Sequence, residues 1–283
     1  MTDCKKLKDI EVLNMLAADL IRDARLIVIK VGSSLLIDRE RQRPRAAWLH
    51  ALAEDLADLR ASGTQNIVVS SGAVALGWPR LGLSPAADLK HKQAAAAVGQ
   101  SALMQAWERA FEPYDIPVAQ LLLSPSDMEA ERRANNARAT LSVLLEEGAL
   151  PVINENDSVA TQELRYGDND RLSARVAALA GADLLLLLSD VDGFYTSDPS
   201  KGDAEHIPYL TEIDADVESR AGGADGDGVG TGGMATKMMA ARIAGEHGCR
   251  TVIASGVARH PVANLQNGAR ATVIDNLPKR VAA

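Results

Sequence analysis

The sequence predicts an α/β fold in which a mainly parallel sheet carries helices on both of its faces. Short apolar runs rich in β-branched and leucine residues recur along the 283 residues, and stretches with helical spacing of apolar side chains separate them. The first two apolar runs each end in a turn of glycine and serine. Strands that alternate with helices are typical of parallel sheets, in which ligands bind at the carboxyl ends of the strands.

Residues 1–24 are predicted to form an N-terminal helical extension, because apolar side chains from Leu7 to Leu20 recur in steps of three and four. Residues 25–283 are then predicted to form the α/β domain. Its strands are expected from Leu26 to the turn Gly32–Ser34, from Asn66 to the turn Ser70–Ala73, and at Pro117–Leu123, Pro151–Ile153, Leu184–Leu188, Arg250–Ala254 and Thr272–Ile274. Its helices are expected at Ala46–Ala61, Lys90–Phe111, Glu131–Glu147, Asp170–Ala180 and Met234–His247.

The composition and the net charge limit the classes of function. Apolar residues make up 47% of the chain and aromatic residues only 3%, so aliphatic side chains must build the core. The formal net charge of −8 disfavours generic nucleic-acid binding, which relies on Lys and Arg. We therefore expect no nucleic-acid partner, although a local basic site can still bind a small anion.

Cysteine usage and hydropathy indicate a cytoplasmic protein. Cys4 and Cys249 lack the spacing of a metal site or a disulfide framework, which indicates a reducing compartment, and Cys249 is expected to be a small buried residue. The longest purely apolar run, Leu184–Leu188, is far too short to cross a bilayer. The charged N-terminus has no apolar core of a signal peptide, so we expect no membrane partner.

Three segments carry groups that can bind phosphate. Lys30 lies in an otherwise apolar strand, where a charge is costly without an anionic partner, and Gly32 lets the backbone approach an anion. Small hydroxyl groups and backbone N–H groups are available in the turn Ser70–Ala73. The glycine-rich stretch Gly228–Gly233 leads into a helix that carries Lys237, with a spacing different from that of a Walker A loop. Together these segments predict a nucleoside triphosphate whose γ-phosphate lies between two lysines.

Each signal also has a purely structural alternative. Lys30 can point into solvent at the strand end, and Ser-Gly turns are common. The polar loops Asn154–Asp157 and Gly167–Asp170 can hold the amine and the carboxylate of a small amino acid, or Mg²⁺ through water, but two Asx-rich turns that cap the next helix fit equally well. The segment Ser189–Asp190 suits contact with a base or a ribose, although an Asp-Gly turn also explains the residues that follow.

Taken together, these motifs resemble the amino acid kinase family, and within it the members that phosphorylate glutamate. The resembling segments follow one another in order over roughly residues 25 to 275: Ile29–Ser34, Ser70–Ala73, Ala94–Gln100, Val152–Val159, Gly167–Asp170, Ala180–Asp190 and Gly230–Lys237. The resemblance implies a three-layer αβα sandwich around a mainly parallel sheet. It also implies an enzyme that uses ATP and Mg²⁺ to phosphorylate the γ-carboxylate of L-glutamate, the first step of proline biosynthesis.

The resemblance implies roles for individual residues. Lys30, Lys237 and Asp170 are the implied catalytic residues, and the carboxylate orients the two lysines. L-Glutamate is expected to contact Ser71, Gly72, Asn154, Asp157 and Asn169. ATP is expected to contact Lys30, Gly32, Ser189, Asp190 and the run Thr231, Gly232, Gly233, Met234, Ala235, Thr236 and Lys237. The sequence does not identify metal ligands.

The sequence departs from the family pattern at both ends. About twenty residues at the N-terminus are extra and have helical spacing, and their role stays open. Many members carry a C-terminal domain of the PUA type, whereas this sequence stops at Ala283, so we expect no regulatory or nucleic-acid role from such a domain. The resemblance further implies feedback inhibition by proline, with Ser158–Gly167 as the adaptable loop, a homo-oligomer, and a downstream glutamyl phosphate reductase. Two alternatives stay open: a sister kinase that acts on another small acid or phosphate, and a non-catalytic nucleotide or amino-acid sensor on the same fold.

Overall fold

The computed structural model describes residues 15–83, 88–159, 169–222 and 233–278. Residues 15–23 are helical and are labelled α1. The other helices are α2 (Ser33–Leu36), α3 (Ala46–Ala61), α4 (Ala73–Leu81), α5 (Leu89–Phe111), α6 (Pro125–Glu129), α7 (Glu131–Glu146), α8 (Asn169–Ala180), α9 (Ala215–Arg220), α10 (Met234–Glu246) and α11 (Pro261–Gln266). The strands are β1 (Leu26–Val31), β2 (Ile37–Asp38), β3 (Arg43–Pro44), β4 (Gln65–Ser70), β5 (Val118–Leu123), β6 (Leu150–Glu155), β7 (Leu184–Ser189), β8 (Phe194–Tyr195), β9 (His206–Ile207), β10 (Tyr209–Leu210), β11 (Arg250–Ser255) and β12 (Ala271–Ile274). Short 3₁₀ turns lie at Glu112–Tyr114, Asp157–Val159 and Pro199–Lys201.

The central sheet is mainly parallel, as the alternation of strands and helices predicts. Its eight strands lie in the order β10-β12-β11-β7-β1-β4-β6-β5. The six strands from β11 to β5 are parallel to their neighbours, whereas β12 pairs with β11 in the antiparallel direction. The carboxyl ends of β7, β1, β4 and β6 therefore meet along one edge, and this edge is where a ligand site is expected.

The side chains of the central strand alternate between two separate apolar cores. Ile27 and Ile29 of β1 pack in a core that includes residues of α1, α3, α5 and α11. Leu26 and Val28 pack in a second core with residues of α7, α8 and α10. Because successive side chains of a strand point to opposite faces, the sheet is covered on both sides, which makes the fold a three-layer αβα sandwich.

Most predicted elements agree with the structure to within one or two residues, but the helix α4 was not predicted. It contains Gly77 and Pro79, both unfavourable inside an isolated helix, and tertiary contacts outweigh this local preference. The described part of the predicted N-terminal extension is helical and buries Ala17 and Ile21, while residues 1–14 lie outside the described ranges. Cys249 is buried as predicted, and burial raises the pKa of its thiol to about 12.

Helices α4 and α5 pack backbone against backbone. A Cβ atom added to Gly99 would lie 1.7 Å from the carbonyl oxygen of Ala73, and one added to Gly77 would lie 1.8 Å from that of Ala95. Neither glycine has a positive φ, so backbone conformation does not require glycine at these positions. Glycine is required because the close contact between the two helices leaves no room for a side chain. This contact holds the turn before α4, which contains Ser71, against the middle of α5.

We expect Gly99→Ala to destabilise the protein. The added methyl group must displace the backbone of α4, which costs about 2 kcal/mol or more and exceeds the gain of about 0.5–1 kcal/mol that alanine brings to a helix interior. Urea denaturation monitored by circular dichroism measures the change. Ser101→Ala, at an exposed position of the same helix, is the control. An unchanged unfolding midpoint in Gly99→Ala would contradict the interpretation of this contact.

Among the described residues, no helix has both the length and the apolar character needed to cross a membrane.

Candidate active site

The site begins with a lysine inside the central strand. Lys30 lies in β1 between Val69 of β4 and Leu187 of β7, and its side chain shares the face of Val28. It is only 7% exposed. Its Nζ lies 2.7 Å from Oδ1 of Asp170. The charge within the apolar strand therefore has an anionic partner, and β1 aims it at the layer that contains α8 and α10.

A second lysine shares the same carboxylate. Asp170 lies in the first turn of α8, and Lys237 lies in the first turn of α10. Nζ of Lys237 is 3.3 Å from Oδ2 of Asp170, and the hydroxyl of Thr236 donates to that oxygen at 2.7 Å. Lys237 and Asp170 are almost completely buried. The three side chains Lys30, Asp170 and Lys237, here called the charged triad, bring two cations to one anion.

The local charges shift the pKa values in the triad. Burial alone would raise the pKa of Asp170, but the charges of Lys30 and Lys237 outweigh it and lower that pKa below its usual value. The pKa of Lys237 is lowered, mainly by burial and also by the charge of Lys30, although Asp170 opposes the shift. Counted by formal charge, two lysines and one aspartate leave the triad with one excess positive charge.

The helix ends add to this excess. The N-terminus of a helix is the positive end of its dipole, which favours Asp170 in the first turn of α8. The same effect disfavours Lys237 in the first turn of α10. A buried lysine at a positive helix end, beside a second lysine, is stabilised by a further anion. The triad therefore has the chemistry of a phosphate site.

Next to the triad lies a buried chain of carboxamide groups, here called the amide relay (Gln100, Asn154 and Asn169). Nδ2 of Asn154 donates to Oε1 of Gln100 at 2.9 Å, and Nδ2 of Asn169 donates to Oδ1 of Asn154 at 3.2 Å. Nδ2 of Asn169 also donates to the hydroxyl of Ser71 at 2.8 Å. The relay thus joins the ends of β4 and β6 to the first residue of α8, directly before Asp170.

An acidic cavity adjoins the relay. Its lining includes Gln100, Glu155 and Asp157, together with the small side chains of α4 and α5 at Ala73 and Ala96. Burial, and the neighbouring charge of Glu155, raise the pKa of Asp157 to about 7. Two carboxyl groups in a small, largely buried space favour a bound cation such as an ammonium group.

The turn before α4 depends on glycine. Gly72 caps this helix with a φ of 110°, in the left-handed region that side chains disfavour. A Cβ atom here would also lie 3.3 Å from the side chain of Ile37. Glycine therefore fixes the path of the chain from Ser71 into α4, beside the relay.

The residues predicted to contact ATP lie around the triad where the structure describes them. Gly32 is the N-cap of α2, and a Cβ atom added to it would lie 3.8 Å from Nζ of Lys30. Ser189 ends β7 and donates to the exposed side chain of Asp190 at 3.0 Å. Gly233 is the N-cap of α10, and Met234, Ala235 and Thr236 form the start of its first turn. The predicted residues Thr231 and Gly232 lie outside the described residues.

Two residues of the site, Gln100 and Glu155, had no role predicted from the sequence, and one contact of Thr236 was not predicted. Gln100 belongs to a motif on which the resemblance rests, but no function was predicted for it. It is buried in an alanine-rich helix, and the residues around it in the sequence do not indicate a polar site. Glu155 was noted only as part of a polar loop. Thr236 was predicted to contact ATP, and the structure also gives it a hydrogen bond to Asp170. These contacts join residues far apart in the sequence.

Comparison with known proteins identifies the family. A profile of the amino acid kinase family matches residues 25–255. The chain belongs to the amino acid kinase family. A relative named glutamate 5-kinase from Caulobacter vibrioides (strain NA1000 / CB15N) is 58% identical over 255 residues, which cover 89% of this chain and 68% of the relative. A protein of the same name from Paramagnetospirillum magneticum is 51% identical over 250 residues, covering 88% of this chain and 67% of that protein.

Solved structures support the fold assignment to this family. An isopentenyl phosphate kinase aligns with a TM-score of 0.58 at 20% identity, covering 88% of this chain and 99% of its own. A UMP kinase from Ureaplasma parvum aligns with a TM-score of 0.60 at 16% identity, covering 88% of this chain and 98% of its own. At these identities the likeness concerns the amino acid kinase fold alone.

Proposed function

We propose that the protein is a kinase that transfers the γ-phosphoryl group of ATP to the γ-carboxylate of L-glutamate. The products are ADP and L-glutamyl 5-phosphate, and the reaction is the first step of proline biosynthesis. The observation that carries this proposal is the charged triad, in which two buried lysines share one carboxylate at the end of the central strand. The relatives of the same family named glutamate 5-kinase support the choice of substrate.

The triad fits the electrostatic demand of this reaction. The γ-carboxylate of glutamate is already ionised at neutral pH, because its usual pKa is about 4.3, so no general base is needed. One oxygen of this carboxylate forms a new bond to the γ-phosphorus, while the bond from that phosphorus to the β,γ-bridging oxygen breaks. Two anions must approach each other in line, and Lys30 and Lys237 supply the compensating positive charge, with Asp170 fixing their positions.

The relay and the acidic cavity are proposed to hold the amino acid. Asp157 provides a carboxylate for the α-ammonium group, and Ser71, Gly72, Asn154 and Asn169 provide small polar groups around it. Of these residues, Asn169 directly precedes Asp170 and contacts Ser71, so both lie close to the triad. The amino acid would therefore lie with its reacting end towards the lysines.

Mg²⁺ is expected to accompany the nucleotide. The described residues contain no group of three His, Cys, Asp or Glu side chains placed to bind a metal, and Asp170 is engaged by two lysines. Mg²⁺ in kinase sites is held largely by substrate phosphates and by one or two carboxylates, so these donors fit an ion that arrives with ATP. Among the described residues, the exposed carboxylate of Asp190, whose charge acts on Lys237, fits such an ion. When bound there, the ion would neutralise phosphate charge.

A panel of acceptors tests the proposed reaction. The full chain is incubated with ATP and Mg²⁺ and with L-glutamate, L-aspartate, N-acetyl-L-glutamate or carbamate, and the acyl phosphate is trapped with hydroxylamine. We expect the highest kcat/KM with L-glutamate. Preference for another acceptor would favour the sister kinase, and nucleotide binding without turnover of any acceptor would favour the sensor.

The raised pKa of Asp157 predicts a pH dependence of glutamate binding. A carboxyl group with a pKa of about 7 is protonated below that pH and cannot attract an ammonium group as an anion. We expect the KM for L-glutamate to fall about tenfold as the pH rises from about 6 to about 8, because the ionised fraction of Asp157 rises by that factor. The Asp157→Asn variant should bind glutamate more weakly and should show a flat KM over this range. A flat profile in the wild-type protein would rule out this role for Asp157.

The same shift has a consequence for stability. The folded state holds the proton of Asp157 more tightly than the unfolded state does, because the pKa of this carboxyl group is raised to about 7 from its ordinary value of 3.8. This group therefore lowers the stability of the unliganded protein as the pH rises between those two values. Bound glutamate would offset the loss by pairing with the carboxylate.

The remaining parts of the proposal concern the cellular context. We propose that proline inhibits the enzyme at or near the glutamate site, that the protein forms a homo-oligomer, and that a glutamyl phosphate reductase consumes the unstable acyl phosphate. We also propose that the protein acts in the cytoplasm, and that residues 25–283 are the kinase domain preceded by a helical extension over residues 1–24. The close relatives named glutamate 5-kinase support these expectations by analogy alone.

A further inference from the structure

One backbone group determines the direction of the amide relay. The N–H of Glu155 donates to the side chain of Asn154 at 2.9 Å, and since a backbone N–H can only donate, the accepting atom of Asn154 is its oxygen. Asn169 contacts the same oxygen at 3.2 Å and must therefore present its amide nitrogen. The remaining polar atom of the Asn169 side chain is then the oxygen Oδ1.

The same logic fixes the other end of the relay. The nitrogen of Asn154 donates at 2.9 Å, so the atom of Gln100 that receives this hydrogen bond is the oxygen Oε1. The remaining polar atom of Gln100 is the nitrogen Nε2. Both Oδ1 of Asn169 and Nε2 of Gln100 are buried and have no hydrogen-bond partner among the residues that the structure describes. The relay therefore ends in an acceptor at Asn169 and in a donor at Gln100.

We propose that Gln100 is a positioning residue that determines which atom Asn169 presents to the bound amino acid. This inference rests on the proposed function. Oε1 of Gln100 satisfies the buried nitrogen of Asn154, which leaves the oxygen of Asn154 directed at Asn169. Asn169 then offers an oxygen to the ligand, and an ammonium group, which only donates, is the complementary partner.

The position of Gln100 in the fold suits this role. It lies in α5 next to Gly99, where the backbones of α4 and α5 are in direct contact. Its side chain is only 9% exposed and lines the same cavity as Asp157. A buried residue on a packed helix defines orientation better than a loop residue, because its own rotamer is restricted by its neighbours.

Without Gln100, the nitrogen of Asn154 is left as a buried donor without an acceptor. The side chain of Asn154 then lowers its free energy by rotating so that this nitrogen finds another acceptor. The rotation disturbs the hydrogen bonds that the oxygen of Asn154 accepts from Glu155 and Asn169. Asn169 keeps its contact with Ser71, but a hydroxyl can accept from the nitrogen or donate to the oxygen of an amide, so Asn169 can then present either atom to the ligand. Discrimination for a ligand with an ammonium group should fall as a result.

The test compares two substrates that differ only in that group. Hydroxylamine trapping of the acyl phosphate gives kcat/KM for L-glutamate and for glutarate, which lacks the α-ammonium group. The ratio of the two values is measured in the wild-type protein, in Gln100→Leu and in Gln100→Glu, which keeps an oxygen acceptor. Gln105→Leu, at an exposed position of the same helix, is the matched control. Thermal unfolding of each variant reports folding, and Gln100→Met replaces Gln100→Leu if the latter does not fold.

We expect a wild-type preference for L-glutamate that falls at least about tenfold in Gln100→Leu, with an unchanged KM for ATP. The preference should stay near the wild-type value in Gln100→Glu and in the Gln105→Leu control. A wild-type protein without preference, a ratio in Gln100→Leu within twofold of the wild-type ratio, or equal losses in Gln100→Glu and Gln100→Leu would each overturn the inference. Failure of the wild-type protein to phosphorylate L-glutamate at all would instead overturn the proposed function.

Discussion

Replacement of Lys30 by alanine should lower kcat about 10³-fold, because one of the two positive charges proposed to stabilise the transferring phosphoryl group is lost while the rest of the site is kept. Lys30 contacts neither the amide relay nor Asp157 in any hydrogen bond described above, so the KM for L-glutamate should change by no more than about threefold. Steady-state kinetics with hydroxylamine trapping, at saturating ATP and with glutamate varied, separate the two constants.

The same substitution should leave the protein folded. Asp170 keeps the ion pair with Lys237 and the hydrogen bond from Thr236, so one cation and one anion remain in balance. Lys90→Ala, at an exposed position of α5, is the control for the loss of a lysine in general. A kcat of Lys30→Ala within tenfold of the wild-type value would show that Lys30 serves the structure and not the transfer.

The placement of Lys30 inside an apolar strand could be predicted from the local sequence alone. A lysine in a β-branched run is an anomaly that a short window reveals, and its need for an anionic partner follows from the cost of burying a charge. The identity of the partner could not be derived from that window, because Asp170 lies on another element and Lys237 is a further 67 residues along the chain. The three residues meet only because the parallel topology brings the ends of strands and the starts of helices to the same edge of the sheet.

Other features depend on tertiary contacts that leave no local trace. The helix α4 contains Gly77 and Pro79, and its stability comes from the close packing of the glycine backbones against α5. The role proposed for Gln100 depends on Asn154, which lies 54 positions away on β6. The polar loops around Asn154 and Asn169 were predicted to act together, and the structure places their side chains in contact. The direction of the hydrogen bonds between these side chains could not be predicted from the sequence, because it follows from the contact of Asn154 with the backbone N–H of Glu155.

Replacement of Asp170 by asparagine should have the largest effect on stability. It removes the carboxylate that both buried lysines, Lys30 and Lys237, contact in the wild-type protein, where Asp170 is only 1% exposed. Removal of one partner from a buried ion pair typically costs about 3–5 kcal/mol, so we expect a loss of that order in the free energy of unfolding. Urea denaturation at neutral pH measures it, with Asp216→Asn, an exposed carboxylate paired with Arg220, as the control.

Two further measurements, the pH dependence of stability and the stability of a double variant, show whether Asp170→Asn destabilises the protein through unbalanced charge or through lost packing. Because the pKa of Asp170 is lowered in the folded state, the ionised carboxylate stabilises the protein above the unfolded pKa of about 3.9, and this contribution is lost as the pH falls through the folded pKa. The difference in the free energy of unfolding between the wild-type protein and Asp170→Asn should therefore become smaller at acidic pH. Asp170→Asn/Lys237→Met removes one of the two lysines that lose this carboxylate and should be more stable than Asp170→Asn alone. If the double variant is less stable than the single one, the repulsion between the lysines is not what destabilises the protein. Because a bound phosphate is proposed to relieve that repulsion, the same measurement also tests the electrostatic basis of the proposed phosphate site.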